Sequence, residues 1–375
     1  MGCVGSSPGK HVDLSQPATL SQFEIQRVIG EGGYGKVNAV TRVGEEPIKW
    51  YAMKVLVKES IVERKRVREV FRERDLLTHL KHERLCNSYF SFQDDKFLYL
   101  VMDLALGGDL RYQLNHNAEK RPFDESRTRI YIAQVACALE YIHSKRVIHR
   151  DIKPENILMN AEGWIKVTDF GISRDLDSNG ECFSGSGTPG YIAPEIYCSN
   201  HAHGIASDWF SFGVTTYEFL SRKRPFKAEA IRLCRRNPEK LVLDVPSTVS
   251  SAASDFLRRL LDGDSKKRLD HEGIKNHSWF KDFRWDKIID GTHKVPFIPN
   301  TKRMNAEPDA DIHQVFMGEE EERLLRNLTP EEQVLFKDYE YDYRFQHRLS
   351  AFSTTTPDDQ EEDDTQINEV EINKI

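Results

Sequence analysis

The stretch that most constrains this chain is "VIHRDIKPENILMNAEGWIKVTDFG", Val147 to Gly171. His149-Arg150-Asp151 opens its polar part, Lys153 and Asn156 follow, and Asp169-Phe170-Gly171 closes it. Asn156 and Asp169 offer oxygen ligands, which suit Mg²⁺, a hard ion that shares its shell with substrate phosphates. Asp151 is then left to accept a proton from an incoming hydroxyl. Lys153 can neutralise charge on a transferring phosphoryl group. Further on, "GTPGYIAPE" and "DWFSFG" continue an ordered series.

Upstream, "IGEGGYGKV" places Gly30, Gly32 and Gly35 at G-x-G-x-x-G spacing, with Val37 two residues on. Glycines let backbone amides approach phosphate oxygens without a Cβ in the way. A dinucleotide-binding domain carries the same spacing but continues directly into a helix. Here "KVNAVTRV" continues as a second strand, which points to a glycine flap on a hairpin. Lys54 ends the apolar strand "YAMK". In the helical segment that follows, Glu73 shares the inward face of Val70, Leu77 and Leu80. A carboxylate inside an apolar stripe is costly unless it meets a cation, and Lys54 is the natural partner.

Strand-like text recurs at "FEIQRVIG", "WYAMKVLV" and "FLYLVMDL". From about Phe123 helices dominate; Ile132, Val135, Leu139 and Ile142 form a 3-4-3 stripe, and "DWFSFGVTTYEFL" is apolar nearly all round. The layout is a small β-rich lobe followed by a larger helical one. A net charge of -7 argues against general nucleic-acid binding. No stretch approaches the roughly 20 apolar residues of a membrane-spanning helix, and the N-terminus lacks a secretory h-region. Six cysteines without a C-x-x-C pair suit a reducing compartment.

Taken together, about Phe23 to Phe280 resembles a eukaryotic protein kinase. The resemblance implies an α+β, two-lobed fold: a five-stranded antiparallel sheet with one regulatory helix (about 23–104), then a helical lobe (about 105–280). It implies ATP and Mg²⁺ as cofactors and proteins as substrates. Asp151 becomes the catalytic base, with Lys153, Lys54 and Glu73 in the machinery, and Asn156 and Asp169 hold the metal. The nucleotide would lie among Ile29, Gly30, Glu31, Gly32, Gly33, Tyr34, Gly35, Lys36, Val37, Ala52, Lys54, Met102, Asp103, Ala105, Asp109, Glu155, Asn156, Leu158 and Asp169. "DIKPEN" and "GTPGY" resemble serine/threonine rather than tyrosine kinases. The competing reading is a catalytically weak or dead pseudokinase acting as a membrane scaffold. The intact set Lys54, Asp151, Asn156 and Asp169 speaks against it.

Residues 281–352 look like the C-terminal extension of AGC-group kinases, and "FIPNTKRMNAEPD" and "VREVFRERDLL" are most similar to the YANK-type (serine/threonine kinase 32) branch. Two departures are Ser186 and Gly190 within "SGTPG", and the tail lacks F-D-x-[YF]. Ser184 stands where the group carries an activation-loop phosphosite, before Thr188, and Arg150 would receive the phosphate, which implies an activating kinase. The bland alternative is a plain Gly/Ser loop. "FKDYEY" resembles the AGC hydrophobic motif; Phe336, Tyr339 and Tyr341 are expected to dock on the small lobe, with Glu340 facing the basic collar of residues 54–74. An ordinary tail helix is the other reading. Thr329, Pro330 and Glu332 form a capping box. Asp109, Glu155 and Glu218 stand where similar kinases bind basic substrate residues, and each is equally readable as a helix-end or ion-pairing residue.

Residues 353–375 hold eight acidic residues against one lysine and are expected to be disordered. Residues 1–22 read as a flexible leader. "MGCVGSSPGK" fits M-G-x-x-x-[ST], so Gly2 is a myristoylation candidate and Cys3 a palmitoylation candidate. One chain binds reversibly and two anchor stably. The expectation is a lipid-bound pool on the cytoplasmic face of a membrane, beside a cytoplasmic pool.

Overall fold

Strand β3 (Trp50–Val57) shows how the small lobe is organised. Side chains alternate across a strand. Tyr51, Met53 and Val55 enter one core with Phe23, Val40, Phe90, Phe92 and Tyr99. On the opposite face, Leu56 joins a second core with Ile61, Val70 and Leu98. Lys54 shares that face, and it is the one that looks toward the cleft. The computed structural model describes residues 15–32, 35–116, 121–198, 201–234, 237, 240–301, 305 and 325–345. The expectations for Gly2, Cys3, Gly33, Tyr34 and the acidic tail 353–375 lie outside the described residues.

β1 (Phe23–Gly32) and β2 (Gly35–Arg42) form the hairpin, with Gly32 opposite Gly35. After β3 come α1 (Lys58–Glu63), α2 (Val67–His79), β4 (Ser88–Gln93) and β5 (Phe97–Asp103). The helical lobe follows with α3 (Leu110–Asn115), α4 (Glu125–Ser144), the short strands β6 (Val147–Ile148), β7 (Ile157–Met159), β8 (Ile165–Val167) and β9 (Arg174–Asp175), then α5 (Ala206–Ser221), α6 (Ala228–Leu233), α7 (Ser251–Leu260), α8 (His271–Lys275) and α9 (Trp285–Ile289). Ile132, Val135, Leu139 and Ile142 are all fully buried on α4, as their spacing predicts. α5 is buried along nearly its whole length and forms the centre of the large core.

The sheet has six strands, not the expected five, in the order β1-β2-β3-β5-β4-β10. The sixth, β10 (Tyr341–Asp342), comes from the tail and pairs antiparallel with β4 through Tyr341–Ser91 and Asp342–Phe90. Without it β4 would be an open edge carrying unpaired backbone groups.

Described parts of the tail touch both lobes. Arg127 stacks over Phe297 at 4.7 Å, and the Asn305 side chain donates to the Leu106 carbonyl at 2.9 Å beside the turn between the lobes. The Thr329–Glu332 capping box is present and starts a short helix, Pro330–Val334. That helix ends early, which excludes an ordinary tail helix through the aromatic residues. Phe336 and Tyr339 are both wholly buried in the core around Ile61 and Val70. Tyr341 is only half-buried, and its ring lies 5.7 Å from the Lys81 ammonium. Glu340 faces the collar through its charge, which acts on Lys58. Its carboxylate also accepts from the Gln93 amide at 2.7 Å. The collar's buried cation, Lys58, donates to the Asp94 carbonyl and to Gln333, and its ammonium lies over the Phe336 ring.

Candidate active site

Gly35 is required by close approach. A Cβ there would lie 1.9 Å from the Val55 carbonyl oxygen, so only glycine lets the hairpin lie against β3. Beneath the hairpin, Ile29 and Val37 pack against the large core beside Ala52 and Met102. Leu158, on β7, and Ala105 are half-buried in the same region between the lobes. These apolar side chains are the ones available to line a slot for a nucleotide base.

Lys54 Nζ meets Glu73 Oε1 at 2.6 Å, with the Glu73 side chain only 9% exposed. Glu73 sits on α2 between Val70 and Leu77, which anchor its helix face in the core. The apolar stripe that made Glu73 conspicuous in the sequence is what delivers it to Lys54.

The segment from Asp151 to Asp169 folds as a knot. Asn156 donates its amide to Asp151 Oδ2 and to the Asp151 carbonyl, both at 2.9 Å. Lys153 donates to Asp151 Oδ2 at 2.7 Å, and Thr188 donates to Oδ1 at 2.6 Å. Lys153 also reaches the Thr188 hydroxyl at 2.7 Å. Thr188, expected to be a regulatory residue, is bonded directly to Asp151 and Lys153. Asp169 has a left-handed φ of 67°, which turns its exposed carboxylate outward while Phe170 is fully buried against His149.

Asp208 holds the base of this arrangement. It is wholly buried on α5 and accepts from the backbone amides of His149 and Arg150 at 2.9 and 2.7 Å, and it contacts His143 Nε2 at 2.8 Å. Its burial favours the neutral acid, but bonding to His143 and the nearby histidine charges hold its pKa below the usual carboxylate value. The sequence carried this residue only as the first letter of "DWFSFG".

The residues fit a nucleotide and a divalent cation. Asn156 spends its amide nitrogen on Asp151, so its oxygen is the atom it can offer a metal, together with the outward Asp169 carboxylate. Among the described residues no group of three or more His, Cys, Asp or Glu is arranged to hold a metal ion. Two protein oxygens plus substrate phosphates is the arrangement Mg²⁺ prefers.

Other expected ligands are engaged elsewhere. The Asp103 carboxylate binds Lys166 at 2.9 Å, Tyr89 at 2.7 Å and the Asn87 amide at 3.0 Å, so any role in the slot falls to its backbone. Asp109 caps α3 by accepting from the Tyr112 amide at 2.8 Å. Glu155 accepts from Arg111 Nε at 2.9 Å, and Glu218 accepts from Arg111 NH1 at 2.7 Å. All three carboxylates expected to receive basic substrate residues thus have partners within the chain.

Arg150 also has a left-handed φ, 69°, and is almost fully buried. Its guanidinium donates to the carbonyls of Ile172 and Ser184, and burial lowers its pKa to about 10. Among the described residues no carboxylate comes within ion-pair distance of it. Arg174 is likewise pushed down, by burial and then by the neighbouring Arg72.

Residues 23–280 match the family described as protein kinase domain. The chain is 36% identical over 317 residues to protein kinase 2 of Dictyostelium discoideum, covering 84% of this chain and 64% of that protein's length. It is 34% identical over 345 residues to the RAC family serine/threonine-protein kinase homolog of the same organism, covering 90% and 76%. It is 33% identical over 335 residues to human serine/threonine-protein kinase 32B, covering 84% and 78%. With the knot at Asp151, the Lys54–Glu73 pair and the glycine hairpin all inside the matched region, this chain belongs to the protein kinase family.

Proposed function

We propose that this chain is an ATP- and Mg²⁺-dependent serine/threonine protein kinase of the AGC type. The observation that carries the reading is the bonded set Asp151–Lys153–Thr188–Asn156, together with the closed Lys54–Glu73 pair. Bound nucleotide supplies the γ-phosphoryl group. Lys54, fixed by Glu73, would hold the nucleotide's phosphates, and Asn156 and Asp169 would hold the cation. Asp151 accepts the proton of the incoming hydroxyl. Lys153 is bonded to Asp151, and its charge would stabilise negative charge that develops on the transferring group. Thr188 and Asn156 hold the Asp151 carboxylate in one orientation, so the reaction gains from positioning. Transfer of labelled phosphate from ATP to serine or threonine of a protein acceptor, absent in Asp151→Asn, tests the reading; label on tyrosine alone would contradict it.

Activation-loop control belongs to the same proposal. Arg150 is satisfied by carbonyls and not by a counter-charge, with Arg174 and Arg72 close by. A phosphate on Ser184, added by an activating kinase, would supply that charge and order the loop. Ser184→Ala should lower turnover of protein isolated from cells; equal turnover would remove the switch.

Membrane tethering rests on the sequence at Gly2 and Cys3. Attachment through acyl chains on these two residues is the route proposed; among the described residues no helix is long and apolar enough to cross a membrane. Gly2→Ala should move the protein to the soluble fraction, and Cys3→Ser should weaken retention. Unchanged membrane association in both variants would count against it.

A further inference from the structure

Arg111 lies at the start of α3, with a guanidinium bonded on three sides. Its Nε donates to Glu155, its NH1 to Glu218 and its NH2 to the Tyr191 hydroxyl at 2.8 Å. Tyr191 in turn donates to the second oxygen of Glu218. Glu218 and Tyr191 are buried, and Arg111 itself is only 23% exposed. Arg111, Glu218 and Tyr191 are thus enclosed while Glu155 stays exposed, and one guanidinium bridges both carboxylates. Burial alone would favour deprotonation of Arg111, yet its bonds to Glu218 and Glu155 hold it firmly charged.

This cluster adjoins the reacting centre on two sides. Glu155 directly precedes Asn156, whose amide holds Asp151. Tyr191 lies three residues after Thr188, whose hydroxyl holds the same aspartate. A peptide that presents a hydroxyl to Asp151 must pass over this surface with its flanking residues. Two carboxylates there would ordinarily make a receptor for an arginine or lysine of the substrate.

We infer that Arg111 is the built-in occupant of that receptor, so that this kinase does not choose substrates by a basic residue flanking the acceptor. The inference rests on the kinase reading above and names the substrate class it excludes. To sit between Glu155 and Glu218, a substrate arginine has to displace a group tethered in the same chain, whose effective concentration is high. It also brings its own charge against that of Arg111, and like charges at an interface select against a partner. Asp109 offers no substitute, because its carboxylate is spent on the first turn of α3.

The test is a positional peptide array, with each position flanking the acceptor serine varied through arginine, lysine, alanine and glutamate. The wild-type chain should phosphorylate arginine-containing peptides no more than about threefold better than their alanine counterparts at every position. Arg111→Ala should open the pocket and raise the arginine-to-alanine ratio about tenfold or more at one position, the gain expected of a charge-assisted pair. Adding Glu218→Gln should remove that gain. A wild-type preference for arginine of tenfold overturns the inference without recourse to any variant, so it stays decidable even if Arg111→Ala does not fold. A folded Arg111→Ala with an unchanged profile overturns it too. A nucleotide-binding wild-type chain that phosphorylates no peptide and no protein acceptor overturns the kinase reading instead.

Discussion

Tyr339 packs edge-on against Phe71 with ring centroids 5.5 Å apart, and Phe71 stands two residues before Glu73 on α2. The contact is fastened on both sides. Ser91 donates its hydroxyl to the Tyr339 carbonyl at 2.7 Å, and Arg74 donates to the Asp338 carbonyl at 2.6 Å. The tail thereby sets the position of α2, α2 sets Glu73, and Glu73 sets Lys54.

Phe336→Ala and Tyr339→Ala should each cost about 3–5 kcal/mol, the usual range for emptying a fully buried aromatic site. Their kcat/KM for ATP should fall about tenfold or more, because Lys54 loses its fixed partner. Deleting residues 333–375 should lower activity in the same direction. Thermal unfolding and steady-state kinetics on the same preparations decide the point; lowered stability with full activity would separate the tail from the catalytic cleft.

Lys54→Met removes the cation paired with Glu73 and leaves that carboxylate in an apolar setting without it. Turnover should fall by about 10²–10³, the loss typical of one preorganised charge at a reacting centre. Far-UV circular dichroism should show the fold retained. Activity within a factor of three of wild type would mean that Lys54 has no part in catalysis.

Thr188 bridges Lys153 and Asp151 through one hydroxyl. Thr188→Ser keeps that hydroxyl and should stay close to wild type, whereas Thr188→Ala should lower kcat about tenfold with little change in KM. Equal losses in the two variants would show that the methyl group, not the bridge, is what counts.

Much of this was legible in the sequence. The limits of β3, the inward face of α2 and the buried α5 follow from apolar patterning alone, because their apolar residues are the ones that enter the cores. β4 was not legible: "SYFSFQ" mixes serines with aromatics, and Ser88 and Ser91 are buried only because they bond to the Val101 and Tyr339 carbonyls. Lys58 was read only as part of a basic collar, and it is buried because Asp94, Gln333 and Phe336 converge on its ammonium. Arg111 gave no signal at all. An arginine in the first turn of a helix is unremarkable until the fold brings Glu155, Glu218 and Tyr191 around it. Contacts of this kind join segments far apart in the chain, and local pattern carries no trace of them.

Asp103 gives a test through pH. Burial by itself raises its pKa, but Lys166 and the bonds from Asn87 and Tyr89 outweigh that and hold it below the ordinary carboxylate value. A folded-state pKa below the unfolded one contributes stability above the unfolded value, about 3.9, and loses it as pH falls through the folded value. Asp103→Asn should therefore lower Tm at pH 7, with the gap to wild type narrowing as pH falls below about 4. A gap that persists unchanged into that range would assign the loss to packing and not to charge.

The central claim is that Asp151, held by Lys153, Thr188 and Asn156, is the base of a phosphoryl-transfer site. Single-turnover transfer from bound ATP to a serine- or threonine-containing acceptor, with nucleotide affinity measured on the same sample, tests it most directly. Wild-type protein should transfer phosphate, and Asp151→Asn should bind ATP with similar affinity while transferring it about 10³-fold more slowly. Equal transfer rates in the two proteins, or a wild-type chain that binds ATP and transfers nothing, would contradict the account.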